Sequence, residues 1–305
     1  MSETSVRLRA AILQTKPLKG QYARNLQSAG TALKQLSKDP PDLVVMPEAA
    51  LTGYFLEGAV YDLALPAERF ARDLAQLWRG ACAGAVVDLA AGFYENDAGT
   101  YYNSAMYLHV APDGEQIVHL HRKMFLPTYG VFDEERFLSR GRNLGVFETR
   151  FGRMALLVCE DACHAIVPTI AAVKGARVLI VPSASPGRGI ENDGELGSIA
   201  QWRDRLRFAA IEHGVFVLYA GLTGFEGGKG MSGSSCMIDP RGTVLAEAPP
   251  FDACILRCDL DLREIDLARA TLPLAASCDP YHKRLRHPYA AECWCTVRSG
   301  NSYPA

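Results

Sequence analysis

The sequence lacks any marked excess of one charge: 32 Lys and Arg face 34 Asp and Glu, a formal net charge of −2. Binding to phosphate backbones calls for a clustered basic surface, so nucleic acid is not an expected partner. No apolar run approaches the roughly 18 residues that a membrane span requires, so no membrane partner is expected either. The opening MSETSVRLR shows no basic stretch leading into an apolar one, the pattern of a secretory signal. Paired CxxC knuckles are missing as well, although there are nine cysteines. That odd count argues against a full disulfide framework, and the thiols point to a reducing compartment, read here as the cytoplasm. No Gly-, Ser- or Pro-rich linker and no short repeat divides the chain, so residues 1–305 are expected to form one domain.

Hydrophobic residues make up 49% of the chain and charged residues 22%, enough to bury a large core. Val6 to Gln14 reads as a strand, and the spacing of Ala23, Leu26, Ala29, Leu33 and Leu36 predicts a helix that ends before Pro40. DLVVM (Asp42 to Met46) and MALLV (Met154 to Val158) are continuous apolar runs, as expected of strands buried on both faces. A helix over Glu68 to Cys82 and strands over Ala85 to Tyr94, Tyr101 to Val110 and Gln116 to His121 follow the same logic. The pattern then predicts a helix near Ala165 to Lys174 and a strand over Arg177 to Val181. A helix over Ser198 to His213 is expected to use Trp202, Leu206, Ala209 and Ile211 on or near one face. Val215 to Ala220, a hairpin from Ser232 to Glu247 and Ala253 to Leu260 complete the strands. Residues 272–305 lack periodicity and are expected to form a C-terminal arm packed on the body or on a partner subunit. Alternating strands, helices and hairpins indicate an α/β fold with sheets covered by helices.

Three of the buried-looking strands end in reactive residues: DLVVMPEAALTGY delivers Glu48, VHLHRKMFLPTYG delivers Lys123 and MALLVCEDACH delivers Cys159. Ligands collect at the carboxyl ends of strands in such sheets, so three exits can share one pocket. A thiol attacks a carbonyl as thiolate, a nearby carboxylate can take its proton, and an ammonium can steady the resulting oxyanion. Taken singly, each residue also fits a plainer role: a core thiol, a loop carboxylate, a surface lysine.

These three segments, in this order, resemble the signature blocks of the nitrilase (carbon–nitrogen hydrolase) superfamily. The resemblance runs from the opening strand to about Leu260 and includes SGSSCMIDPRGTVLAEA. It implies a four-layer αββα sandwich, a Glu48–Lys123–Cys159 catalytic triad, a thioester acyl-enzyme and a small-molecule amide substrate. It also implies a homodimer or higher homo-oligomer, with no cofactor and no metal. A second glutamate often supports the lysine in this superfamily, and within YGVFDEERFLSRG the matching position is Glu134, counted back from Gly141.

KMFLPTYGVFDE, CED and PSASP look most like the glutaminase domain of glutamine-dependent NAD synthetase and its free-standing relatives. On that likeness Tyr129, Glu160, Ser183 and Ser185 line the substrate pocket, and Arg188 is a candidate for holding a substrate carboxylate. Arg205 and Arg207 are weaker candidates. Two departures stand out. No GxxxxGK[ST]- or SGGxDS-type phosphate loop is present, so ammonia is expected to leave to solvent or to a separate protein. Cys163 occupies a position where many relatives carry an aromatic residue, which puts glutamine itself in question. The expected activity is hydrolysis of a non-peptide C–N bond in a small amide with release of ammonia. The alternatives are an N-carbamoyl amino acid amidohydrolase and, in another class, an inactive binding protein on the same fold. A zinc site from Cys159, Cys163 and His164, or from Cys293, Cys295, His282 and His287, does not match knuckle spacing.

Overall fold

The computed structural model describes residues 6–189 and 196–274. The first half runs β1 (Arg7–Gln14), α1 (Tyr22–Leu33), β2 (Leu43–Val45), the short α2 (Val60–Leu63) and α3 (Ala67–Ala81), then β3 (Val87–Asp97), β4 (Thr100–Ala111) and β5 (Gly114–Arg122). The second half runs β6 (Phe147–Thr149), β7 (Gly152–Leu156), α4 (Ile166–Val173), β8 (Val178–Ser183), α5 (Gly197–His213) and β9 (Phe216–Gly221). It closes with β10 (Thr223–Glu226), β11 (Lys229–Ser232), β12 (Cys236–Ile238), β13 (Val244–Glu247), β14 (Cys254–Asp261) and α6 (Arg263–Thr271).

Two six-stranded sheets form, in the orders β14-β1-β2-β3-β4-β5 and β13-β12-β9-β8-β7-β6. They face each other, β1 against β9, β3 against β8 and β4 against β7. Helices α1 and α3 cover the outer face of the first sheet, and α4 and α5 that of the second. This is the αββα sandwich expected. Side chains of β8 and β9 are buried at every position, which explains their unbroken apolar runs. On α3, Phe70, Leu74 and Trp78 recur at helical spacing and are completely buried, with Phe70 stacked on Phe93 at 4.2 Å between ring centroids. Each such side chain contributes about 1.5–3 kcal/mol on burial.

Parallel pairing positions the site. β1, β2 and β3 run parallel, and two antiparallel steps through β4 return β5 to the same direction. In the other sheet β7, β8 and β9 are parallel. The carboxyl ends of β2 and β5, and separately those of β7 and β8, therefore emerge at common edges.

Two expectations need correction. The buried face of α5 runs through Trp202, Leu206, Ala210 and His213, while Ile211 is exposed. Ser232 closes a separate hairpin, β10–β11, rather than opening the one formed by β12 and β13. The arm expected at 272–305 lies almost wholly outside the described residues.

Candidate active site

β2 ends at Val45, and Glu48 follows at a turn locked to β3: the Met46 N–H donates to Ala90 O (2.7 Å) and Gly92 N–H to Pro47 O (3.0 Å). A Cβ added to Gly92 would lie 2.5 Å from Glu48 Cα, so only glycine lets β3 approach this closely. Lys123 leaves β5 with its N–H on Asn103 O and its carbonyl accepting from Gly141 N–H, both at 2.8 Å. Gly141 is equally constrained, since its Cβ would fall 1.9 Å from Arg122 O. Cys159 begins a 3₁₀ turn after β7 and has φ +47°. A left-handed backbone at a residue with a Cβ costs about 1–2 kcal/mol and is held here by the surrounding structure.

The three groups converge. Lys123 Nζ lies 2.8 Å from Glu48 Oε1 and 2.7 Å from Glu134 Oε1, with the lysine and Glu48 wholly withdrawn from solvent. Glu48 also accepts from Asn103 Nδ2 through Oε1 and from the Ala184 N–H through Oε2, both at 2.7 Å. Glu134 Oε1 takes a short hydrogen bond from the Tyr54 hydroxyl, and the Tyr54 ring centroid lies 5.7 Å from Lys123 Nζ. The Cys159 sulfur accepts from the Ser183 hydroxyl at 3.2 Å. Its hydrogen-bond partner is thus Ser183, with Glu48 and Lys123 acting on it through space.

Burial sets the electrostatics. It pushes the Cys159 thiol well above its ordinary range; Glu48 adds to the rise, while Lys123 and Ser183 oppose it. Burial therefore favours the neutral thiol, and forming the thiolate would call for a nearby base. Burial also disfavours the Lys123 ammonium, but Glu134 and Glu48 outweigh it and hold its pKa well above the usual lysine range. Glu134 is raised to about 7, first by burial, with Lys123 opposing and Glu48 reinforcing. The arrangement can supply a nucleophile, a proton acceptor and a fixed positive charge within one dry cluster.

Around the thiol, Tyr129 donates to both carboxylate oxygens of Glu160, at 3.0 and 2.9 Å. His164 Nε2 lies 3.6 Å from Glu160 Oε1, and its ring stacks on Phe125 at 3.9 Å. The Ser185 hydroxyl accepts from Trp202 Nε1 at 2.9 Å. The Arg188 guanidinium carbon lies 5.5 Å from the Phe132 ring centroid. Cys163 is half-buried, its thiol raised to about 11 by burial and then Glu160. Behind Glu134, a cavity of about 290 Å³ is lined by Tyr54, Tyr94, Phe132 and Phe137 among others. Glu135, in contrast to Glu134, points outward and pairs with Arg140.

Several site residues carried no sequence signal. Asn103 and Tyr54 sit inside ordinary strand and loop patterns. Asp161, one residue beyond Glu160, is completely buried and ties together the Lys123 and Cys159 segments. Among the described residues, no group of three or more His, Cys, Asp and Glu side chains is arranged to hold a metal ion. Nor is any described helix long and apolar enough to cross a membrane.

An αββα sandwich that gathers a thiol, an ammonium and two carboxylates at its strand ends defines a hydrolase scaffold of the nitrilase type. The family model for carbon-nitrogen hydrolase matches residues 9–270, and the chain belongs to that family. A glutamine-dependent NAD(+) synthetase of Thermotoga maritima is 30% identical over 262 residues, covering 85% of this chain and 43% of that protein. The 2-oxoglutaramate amidase of Bacillus subtilis is 30% identical over 258 residues, covering 84% of this chain and 91% of that one. A carbon-nitrogen hydrolase structure from Helicobacter pylori G27 superposes with a TM-score of 0.79 at 27% identity, over 93% of this chain and 99% of that one. The chain spans under half the length of the NAD synthetases it matches.

Proposed function

We propose that this chain hydrolyses the terminal amide of a small linear substrate and releases ammonia through a thioester on Cys159. Glu48 takes the thiol proton as sulfur attacks the amide carbon, then passes it to the departing nitrogen as the C–N bond breaks. Lys123 steadies the oxyanion, assisted by the backbone N–H after the nucleophile, and Glu134 holds the lysine in place. Water then adds to the thioester, Glu48 removes its proton, and cleavage of the C–S bond frees a carboxylic acid and restores the thiol. The observation that carries this reading is the Lys123 ammonium bridging Glu48 and Glu134 at 2.8 and 2.7 Å, with Cys159 within reach of the same charges.

At the far end of the substrate, Glu160 with Tyr129 suits an ammonium group, and Arg188 suits a carboxylate. Ser183 and Ser185 line the wall between. Support for an amide substrate comes from the 2-oxoglutaramate amidase of B. subtilis, matched over 91% of its length. Residues 1–305 act in this reading as one catalytic unit. All six described cysteines are free thiols, which suits the cytoplasm. Exposed Ile166, Phe208 and Ile211 on the adjoining helices α4 and α5 suit self-association into a homodimer or larger homo-oligomer.

The deciding experiment measures ammonia release from a panel of ω-amides of amino and 2-oxo acids, N-carbamoyl amino acids and nitriles. Mass analysis of the stalled enzyme accompanies it. An acyl adduct on Cys159 with an amide substrate supports the proposal. Turnover confined to carbamoyl compounds, with carbon dioxide as co-product, transfers it to the carbamoyl reading. A Cys159 no more reactive than the other thiols points to a binding protein.

A further inference from the structure

The hairpin β10–β11 carries a buried carboxylate that the catalytic scheme above does not use. Glu226, 3% exposed, lies 172 residues from Tyr54 in sequence, yet it accepts the Tyr54 N–H at 3.1 and 2.9 Å and the Phe55 N–H at 2.8 Å. Gly53 makes room for it, since a Cβ there would meet Glu226 Oε1 at 2.8 Å. Lys229, on the other strand of the hairpin, sets its ammonium 4.4 Å from the Phe55 ring centroid. The hairpin therefore grips the loop after Glu48 by two main-chain donors and one aromatic face.

Tyr54 is fixed at both ends. Its carbonyl accepts from the Tyr94 hydroxyl at 2.5 Å, and its own hydroxyl donates to Glu134 Oε1, the oxygen that also binds Lys123. Among the described residues Glu134 Oε2 has no hydrogen-bond partner, so Tyr54 and Lys123 share the one side-chain oxygen through which Glu134 is held there. A shift of the peptide at residue 54 would move the hydroxyl off that oxygen and loosen the carboxylate against Lys123.

We propose that Glu226 is a positioning residue for the hydrolysis, acting through Tyr54 on the Glu134–Lys123 pair. This rests on the triad reading given above. Glu226 is faced by Lys19 and Lys229, and Glu134 by Lys123, Glu48 and Tyr54. The Tyr54 hydrogen bond favours the charged form of Glu134, so its loss drives the Glu134 titration upward.

The test uses the full chain with Glu226→Gln, Tyr54→Phe and both together, read as kcat, KM and the pH profile of kcat. Gln keeps the volume of Glu226 but has one acceptor oxygen for the two of the carboxylate, so its NH2 replaces the oxygen now 3.1 Å from the Tyr54 nitrogen. We expect Glu226→Gln to lower kcat about tenfold with KM changed by less than about twofold, the loss of roughly one hydrogen bond. Its acid limb should move to higher pH, as in Tyr54→Phe, and the double variant should be no worse than Tyr54→Phe alone. Losses that multiply in the double variant, or a Glu226→Gln enzyme that melts earlier but keeps its kcat and pH profile, would overturn the proposal. Should Glu226→Gln not fold, Glu226→Asp keeps the charge at shorter reach and must show the same non-additivity with Tyr54→Phe. Wild-type turnover by Cys159→Ala would instead remove the triad reading itself, an outcome independent of the cycle between 226 and 54.

Discussion

Asp161 Oδ2 lies 2.8 Å from His121 Nε2, with both side chains completely buried. The same carboxylate accepts the N–H groups of Met124 and Phe125 at 3.0 Å and of Val158 at 3.1 Å. His121, Met124 and Phe125 flank Lys123, while Val158 precedes Cys159. One carboxylate therefore fixes the ammonium segment of the first sheet to the thiol segment of the second.

Replacing Asp161 by Ala leaves these buried donors without an acceptor. Leaving a buried hydrogen-bonding group unsatisfied in this way costs about 1–3 kcal/mol for each group. The Asp161→Ala protein should melt well below wild type and lose activity, whereas Asp161→Asn, which keeps one acceptor oxygen, should lose less stability. Denaturant unfolding of the two variants checks the order; equal stability would contradict the bridging role.

At the proposed reacting centre, Cys159→Ala should abolish turnover without unfolding the protein, since among the described residues the sulfur accepts one hydrogen bond, from Ser183. Lys123→Ala is a different matter. It removes the charge between two buried carboxylates, so kcat should fall by about 10²–10³, as for loss of an oxyanion donor. Stability should also fall, because Glu48 and Glu134 then face each other unshielded. Steady-state kinetics with paired melting curves separate these effects, and a change confined to KM would contradict the role given to Lys123.

Gly92→Ala tests the seating of Glu48 without touching any ionisable group. The new methyl meets Glu48 Cα at 2.5 Å and Pro47 O at 2.8 Å, both backbone atoms with no rotamer to yield. Overpacking of this kind costs about 1–3 kcal/mol. A displacement of Glu48 from the thiol should lower kcat more than it raises KM, as stopped-flow measurement of ammonia release would show. Unchanged kcat would mean that the turn relaxes without moving the carboxylate.

How much of this was legible in the sequence depends on the range of the interaction. Continuous apolar runs such as DLVVM and MALLV announced doubly buried strands, and the residues that end them were Glu48 and Cys159. Glu134 was separable from Glu135 only through the family resemblance, because both are acidic neighbours; a single 3₁₀ turn over Glu134–Arg136 buries one and exposes the other. Tyr54, Asn103 and Glu226 gave no signal, since their roles come from contacts made across the fold. The β10–β11 hairpin was missed because Gly-rich GFEGGKG shows no strand alternation. On α5 the strict four-residue step from Trp202 through Leu206 reaches Ala210, which turns Ile211 outward.

The raised titration of Glu134 has consequences for both rate and stability. Its pKa is pushed from an ordinary 4.5 to about 7, chiefly by burial. If the ionised form is what anchors Lys123, activity should decline as pH falls through about 7, and Glu134→Gln should lose that limb along with most of its rate. For stability the sign is opposite to that of a salt-bridged acid. A carboxyl with a raised folded-state pKa adds stability that is fully present below 4.5 and is lost as pH rises through about 7. His119 and His213, lowered to about 4 by burial, work the other way, with stability present above 6.5 and lost on acidification. The clean measurement is therefore a difference: wild type should exceed Glu134→Gln in unfolding free energy by more at pH 5 than at pH 8. A gap that does not change with pH would show that Glu134 titrates near its unfolded value, and the acid limb would then need another owner.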